Sequence, residues 1–218
     1  MLNKVVFIFL ICMHSLPSAL ADETVALFEN LVPIEDPKVA VAYIDPNADF
    51  GVFKKVMVLE TFVAFRSGWE RDQRSGTRTI RITNNDIERI KADVSALFNE
   101  VLTERLVADN GYEVVEEAGE DVLLIRAAII DLDITAPDTM SAGMTRTFTA
   151  STGAATLYLE LFDSMSGQII GRAADRQAIR NNGTVRWSTR VTNTADARRM
   201  FGRWADLLRS FLDSHYSD

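Results

Sequence analysis

"ATLYLELFDSMSGQIIGRAADR", residues 155–176, is the stretch on which the fold turns. Apolar and polar residues alternate on both sides of Asp163-Ser164-Met165-Ser166-Gly167, as in two strands whose successive side chains point to opposite faces of a sheet. Asp163 and Ser164 start turns through side-chain hydrogen bonds to the backbone, and Gly167 can adopt positive φ. A three-residue loop of Met165, Ser166 and Gly167 pairs Ser164 with Gln168. It sets Glu160 opposite Arg172, Tyr158 opposite Ala174 and Phe162 opposite Ile170, so that opposite charges meet across the strands. A loop one residue shorter or longer sets Leu159 opposite Arg172 instead. The stretch also places two serines beside two aspartates, the ingredients of a nucleophilic site. A serine nucleophile needs a base, most often histidine, and His215 is the only histidine beyond residue 21. Neither Ser164 nor Ser166 has glycines both two before and two after it, as a nucleophile elbow requires. The stretch reads as a hairpin.

Upstream, residues 54–65 (KKVMVLETFVAF) are β-branched and aromatic and read as one principal strand. A polar, arginine-rich loop follows over residues 66–79. Thr83 with Asp86 three positions on is a capping-box start for a helix. Its apolar face is Ile87, Ile90, Val94, Leu97, Phe98, Val101, Leu102 and Leu106, and it ends near Asn110-Gly111. A short strand at Tyr112–Val115, an acidic turn over residues 116–121 and a long strand at Val122–Ile134 come next. Residues 135–153 form an aperiodic loop of unusual length, whose Met140, Met144 and Phe148 either fold back over the sheet or, exposed, grip a partner or a lipid. A last helix from about Thr194, capped by Asn193 or Thr194, carries the stripe Ala197, Phe201, Trp204, Leu208, Phe211 and Leu212. The order βαββββα implies an α/β (α+β) two-layer sandwich, with a mixed, mainly antiparallel sheet and two long helices on one face.

The first residues, MLNKVVFIFLICMHSLPSALADE, have a basic start, an apolar run and Ala19-Leu20-Ala21 before Asp22, the grammar of a secretory signal peptide cut after Ala21. The run is shorter than the roughly 20 residues of a membrane-spanning helix. Cys12 lies inside it behind the bulky Ile11, which argues against lipid attachment there. Removing residues 1–21 of 218 leaves 197 and takes away Lys4, so the net charge moves from −8 to −9. The expected organisation is a signal peptide at 1–21, an extended lead-in at 22–53 with a short strand at Val39–Ile44, and a single domain at 54–218. The expected location is the periplasm. The acidic balance argues against nucleic-acid binding, and without Cys12 the chain holds no thiol for a disulfide or a metal.

Against that charge, residues 66–81 carry Arg66, Arg71, Arg74, Arg78 and Arg81 with only Glu70 and Asp72. Guanidinium groups grip carboxylate and phosphate with two prongs, and Trp69 adds an aromatic face. The segment is therefore the candidate surface for an envelope protein or an anionic envelope component, unless its arginines pair with the acidic turn at Glu116–Asp121. Asp131 and Asp133 sit two apart on a strand, so both carboxylates share a face as a metal or acid/base pair would. A solvated strand end is the other reading. With Glu160 they make a carboxylate-based hydrolase or transferase the alternative to a non-catalytic interaction or assembly module. Phosphate-cradling loops, dinucleotide fingerprints and zinc spacings are missing from the sequence, so no cofactor is implied.

Asp-Ser-x-Ser-Gly at 163–167, Asp175-Arg176 on the next strand and Phe201-x-x-Trp204-Ala205-x-x-Leu208 on the last helix together resemble an uncharacterised family of proteobacterial envelope proteins, mostly lipoproteins, catalogued as domain of unknown function DUF3313. Tyr43-Ile44-Asp45-Pro46-Asn47-Ala48-Asp49 ahead of the first long strand fits the same family. The resemblance covers residues 39–212 and implies an envelope location. It assigns no catalytic residue.

Overall fold

The structure, a computed structural model, describes residues 30–75, 82–134, 154–178 and 190–215. The signal-peptide, long-loop, Arg78 and Arg81 readings lie outside these residues. The elements are β1 (Val32–Pro33), β2 (Val41–Ile44), β3 (Lys55–Val58), β4 (Phe62–Phe65), α1 (Trp69–Ser75), α2 (Asn84–Val107), β5 (Glu113–Val114), β6 (Val122–Asp133), β7 (Ala154–Asp163), β8 (Ile169–Ala178) and α3 (Arg190–Ser214). One sheet runs β1-β2-β8-β7-β6-β3-β5, with β4 also paired to β6. From β1 to β6 neighbours are antiparallel, whereas β3 and β4 lie parallel to β6 and β5 parallel to β3. The expected mixed, mainly antiparallel sheet with two long helices is what the chain builds.

The helices cover one face. Leu123, Ile125, Ala127 and Ile129 of β6 and Leu157, Leu159 and Leu161 of β7 form one core with Phe98, Leu102 and Leu106 of α2 and Phe201, Trp204, Leu208 and Leu212 of α3. Phe98 and Phe201 meet edge to face at 5.3 Å. The lead-in is part of this sheet, because β2 pairs with β8 from Val41↔Ala174 to Ile44↔Gly171.

The single strand expected over 54–65 is two. Between Val58↔Ile125 and Phe62↔Ala128 the upstream chain has one residue more than β6. Asn99 of α2 holds the break, donating to the Leu59 carbonyl at 3.1 Å and accepting from the Thr61 hydroxyl at 2.5 Å. The loop expected over 66–79 contains α1, anchored by the buried Trp69. The last helix is already running at Arg190, so Asn193 and Thr194 lie inside it and not at its cap.

The hairpin keeps the expected register over most of its length, with Glu160↔Arg172 and Tyr158↔Ala174, but Phe162 pairs with Ile169 instead of Ile170. The tip is therefore one residue longer, Ser164 to Gly167, and Ile170 is left as a bulge. The Asp163 carboxylate gathers the Met165 and Ser166 backbone N–H groups and the Ser166 hydroxyl, while Gly167 turns the chain at φ 69°. Ser164 Oγ donates to the Gly119 carbonyl and accepts from the Gly119 N–H, tying the tip to the acidic turn. The Asp163 carboxyl is held below its ordinary value, chiefly by the Ser166 N–H. Its stabilising contribution is complete above the ordinary carboxylate pKa and disappears as pH falls through the lower folded-state value. Asp163→Ala is accordingly expected to flatten the acid limb of a stability-versus-pH curve; an unchanged limb would deny the carboxylate this role.

Thr83 and Asp86 form the expected capping box at the start of α2. The other end of α2 is capped from α3: Arg209 donates to the carbonyls of Arg105, Leu106 and Ala108, and its guanidinium lies over the Tyr112 ring. A Cβ on Gly111 would collide with that guanidinium and with the Leu106 carbonyl. Gly111→Ala is therefore expected to cost about 1 to 3 kcal/mol, by displacing the cap and leaving orphaned helix carbonyls. Unaltered thermal unfolding would contradict the close approach.

Candidate binding groove under the last helix

Of the described side chains in the arginine segment, Trp69 alone is buried. Trp69 is fully buried, stacked on Phe65 at 3.7 Å, and its indole N–H donates to the Ile134 carbonyl at 2.6 Å. It forms a small second core with Ile87 and Ile90, which corrects its reading as an open aromatic face. Arg66 pairs with Asp72 at 2.8 Å and Asp133 at 2.9 Å rather than with the acidic turn, and these partners, Asp133 first, raise its pKa. Arg71 is exposed; with Phe62, Arg66 and Lys91 it lines a depression of about 860 Å³. Arg74 lies on α1.

The acids are dispersed. Asp131 is an exposed residue at φ 50°, and the pairing of β6 with both neighbours shifts register beside it. The two-residue alternation that would aim Asp131 and Asp133 together is broken by this bulge. Glu160 lies on the sheet face away from the helices, between Arg126 at 2.6 Å and Arg172 at 2.7 Å. Along β6, its partner Arg126 and Asp133 are about 23 Å apart at ~3.3 Å per residue. Among the described residues no three His, Cys, Asp or Glu side chains could hold a metal together.

The site that the fold does build lies where the lead-in, β7, β8 and α3 meet. On β7 the core-facing Leu157, Leu159 and Leu161 make a floor about 13 Å long at ~3.3 Å per residue. Gly171 and Ala173, opposite Leu161 and Leu159 on β8, are too small to reach the helix above. Leu207, Leu208 and Phe211 of α3 form the roof, and Ile34, Pro37 and Val39 of the lead-in close the side. The result is an apolar groove of about 310 Å³.

Of the charged residues that line it, Asp36, Lys38, Arg172 and Asp175, one is buried. Asp175, opposite Leu157, is 8% exposed. It accepts from the Ala40 N–H at 3.1 Å, the Trp204 indole N–H at 2.8 Å and the Gln177 amide at 2.6 Å. Asp175 therefore fastens the lead-in, the sheet and α3 together at one end of the groove. A second tie lies further along the lead-in, where the buried Asp45 accepts from the Gln168 amide at 2.9 Å while its N–H donates to the Ile170 carbonyl on the bulge. Nothing in the sequence reading singled out Asp175 as a site residue. The available signal was parity: Asp175 shares a face with Gly171 and Ala173, the face that the leucines opposite mark as core.

The sequence matches the family described as "Protein of unknown function (DUF3313)" over residues 21–208. No curated protein matches it. Among solved structures, the PelC dodecamer of Paraburkholderia phytofirmans is 9% identical, with a TM-score of 0.38 over 74% of this chain and 91% of that one. A hypothetical protein of Chlamydia trachomatis is 11% identical, with a TM-score of 0.38 over 73% and 98%. A DUF330 protein of Xanthomonas campestris is 11% identical, with a TM-score of 0.40 over 78% and 93%.

Proposed function

The chain belongs to the DUF3313 family of proteins of unknown function, and we propose that it is a non-catalytic protein of the cell envelope that works by binding an apolar ligand in the groove under α3. The observation that carries this reading is the groove itself: about 310 Å³, walled by apolar side chains from three parts of the chain. Ligand sites are concave, mainly apolar and furnished with a few placed polar groups. Two acids of the alternative hydrolase reading are taken up elsewhere, Asp133 by Arg66 and Glu160 by Arg126 and Arg172. The envelope location rests on the signal-like residues 1–21. Among the described residues no helix is long and apolar enough to cross a membrane.

Native mass spectrometry of the protein isolated from its own cells without detergent tests both halves. The expected protein mass begins at Asp22, and the expected spectrum carries an added small molecule released on denaturation. A lipid-modified Cys12 at the amino terminus would contradict the free periplasmic location. Bare protein that also takes up no apolar probe in vitro would contradict the binding reading.

A further inference from the structure

We propose that the groove receives a single-chain lipid whose head carries an ammonium group, the head at Asp175 and the chain along β7 and β8. This rests on the binding reading above and names the ligand class. The groove is polarised along its length: beyond Asp175 the floor is Leu157, Leu159 and Leu161 and the roof Leu207, Leu208 and Phe211. An apolar trough with one buried charge at its end matches an amphiphile, not a wholly apolar molecule.

The sign of the head follows from Asp175. Its three donors, a backbone N–H, an indole and an amide, are all neutral. They fill three of the roughly four acceptor positions of a carboxylate. Among the described residues no lysine or arginine forms an ion pair with it; Arg203 reaches it only through Gln177, whose amide oxygen accepts from Arg203 at 3.0 Å, and a carboxylate so buried is stabilised by a direct countercharge. An ammonium group supplies both the charge and the fourth donor, whereas a carboxylate or phosphate head would meet repulsion. Of the other charged residues in the lining, Arg172 is paired with Glu160 at 2.7 Å, and Asp36 and Lys38 are exposed and of opposite sign, so they offer no net preference. One chain is indicated because about 310 Å³ is at the low end of the ~300–1,000 Å³ range of ligand sites.

The test is a series of probes of equal chain length, dodecylamine, dodecanol and dodecanoate, titrated below their micelle concentrations into the full mature protein, with displacement of bound N-phenyl-1-naphthylamine as readout. Dodecylamine is expected to bind roughly tenfold or more tightly than dodecanol, as a charge-assisted hydrogen bond implies, and dodecanoate most weakly. Dodecylamine is expected to displace the dye and its two-chain counterpart, didodecylamine, to fail. Asp175→Asn should remove the preference for the amine while leaving dodecanol bound. The comparison of heads on the unaltered protein stands even if that variant does not fold. Equal affinities, or a preference for dodecanoate, would overturn the ammonium assignment and leave the groove reading intact. Equal binding of the two-chain amine would overturn the single-chain assignment. Failure of every probe would overturn both readings.

Discussion

Trp204→Ala is expected to lower the unfolding free energy by about 3 to 5 kcal/mol in a denaturant titration, the usual loss when a large aromatic side chain is removed from a core. That would be much of the ~5–15 kcal/mol by which a domain is stable. Trp204 is 3% exposed, and its ring lies 6.1 Å from Phe201 in the core shared by both helices and the sheet. Its indole N–H also donates to Asp175 at 2.8 Å. Trp204→Phe separates the two contributions, since it keeps most of the packing and loses the donor. The expected cost is about 1 to 3 kcal/mol, the scale of a buried hydrogen-bonding group left unpaired. A loss below about 1 kcal/mol for Trp204→Ala, against the 3 to 5 of buried aromatics, would mean that α3 does not dock as described.

The second large effect is expected at Asp175. Asp175→Ala strands the buried Trp204 indole N–H, at about 1 to 3 kcal/mol, and removes the hydrogen bond of the Ala40 backbone N–H, at about 0.5 to 1.5 kcal/mol, so the combined expectation is about 1.5 to 4.5 kcal/mol. The damage should also be local to the lead-in. Ala40 is held to β8 by this carboxylate and, at the next residue, by the start of the β2–β8 ladder. Amide exchange over Ala40–Ile44 should therefore accelerate more than exchange in β6. Because Asp175 and Trp204 share a hydrogen bond, their losses should not add: Asp175→Ala combined with Trp204→Phe should cost less than the sum of the two changes. Strict additivity would show that the contact contributes nothing of its own, and unchanged exchange in the lead-in would show that Asp175 does not fasten it.

Much of the fold was legible because its signals were local. The 3.6-residue spacing of Ile87 to Leu106 and the Thr83–Asp86 pair fixed α2, and alternation with opposed charges fixed the Glu160↔Arg172 register. What was misread depended on contacts distant in sequence. The break at Leu59–Thr61 is held by Asn99, about 40 residues downstream. Trp69 looked like surface because arginines flank it, yet its partners are Phe65, Ile134 and the start of α2. At the hairpin tip, the three donors gathered by Asp163 lengthened the turn, and the bulge at Ile170 restored the register one step later. The bulge at Asp131 was hidden as well, since a φ of 50° at an aspartate leaves no periodic trace. The groove could not be read at all. It is a space left between Gly171, Ala173 and a helix about 30 residues further on, and sequence patterns report side chains, not gaps. Asp175 and Trp204 were visible as parts of two separate motifs, but not as each other's partner.

Filling the groove is the most direct test that binding there is what the fold is for. Ala173 lies on its floor between Leu159 and the lead-in, and Ala173→Phe would place a ring in the space assigned to the ligand. Equilibrium titration of N-phenyl-1-naphthylamine into the unaltered and the filled protein, with thermal unfolding of both, reads the outcome. The expected result is saturable dye binding to the unaltered protein, at least a tenfold weakening in the filled one, equivalent to about 1.4 kcal/mol, and no loss of thermal stability. Equal dye binding by the two folded proteins would contradict the account.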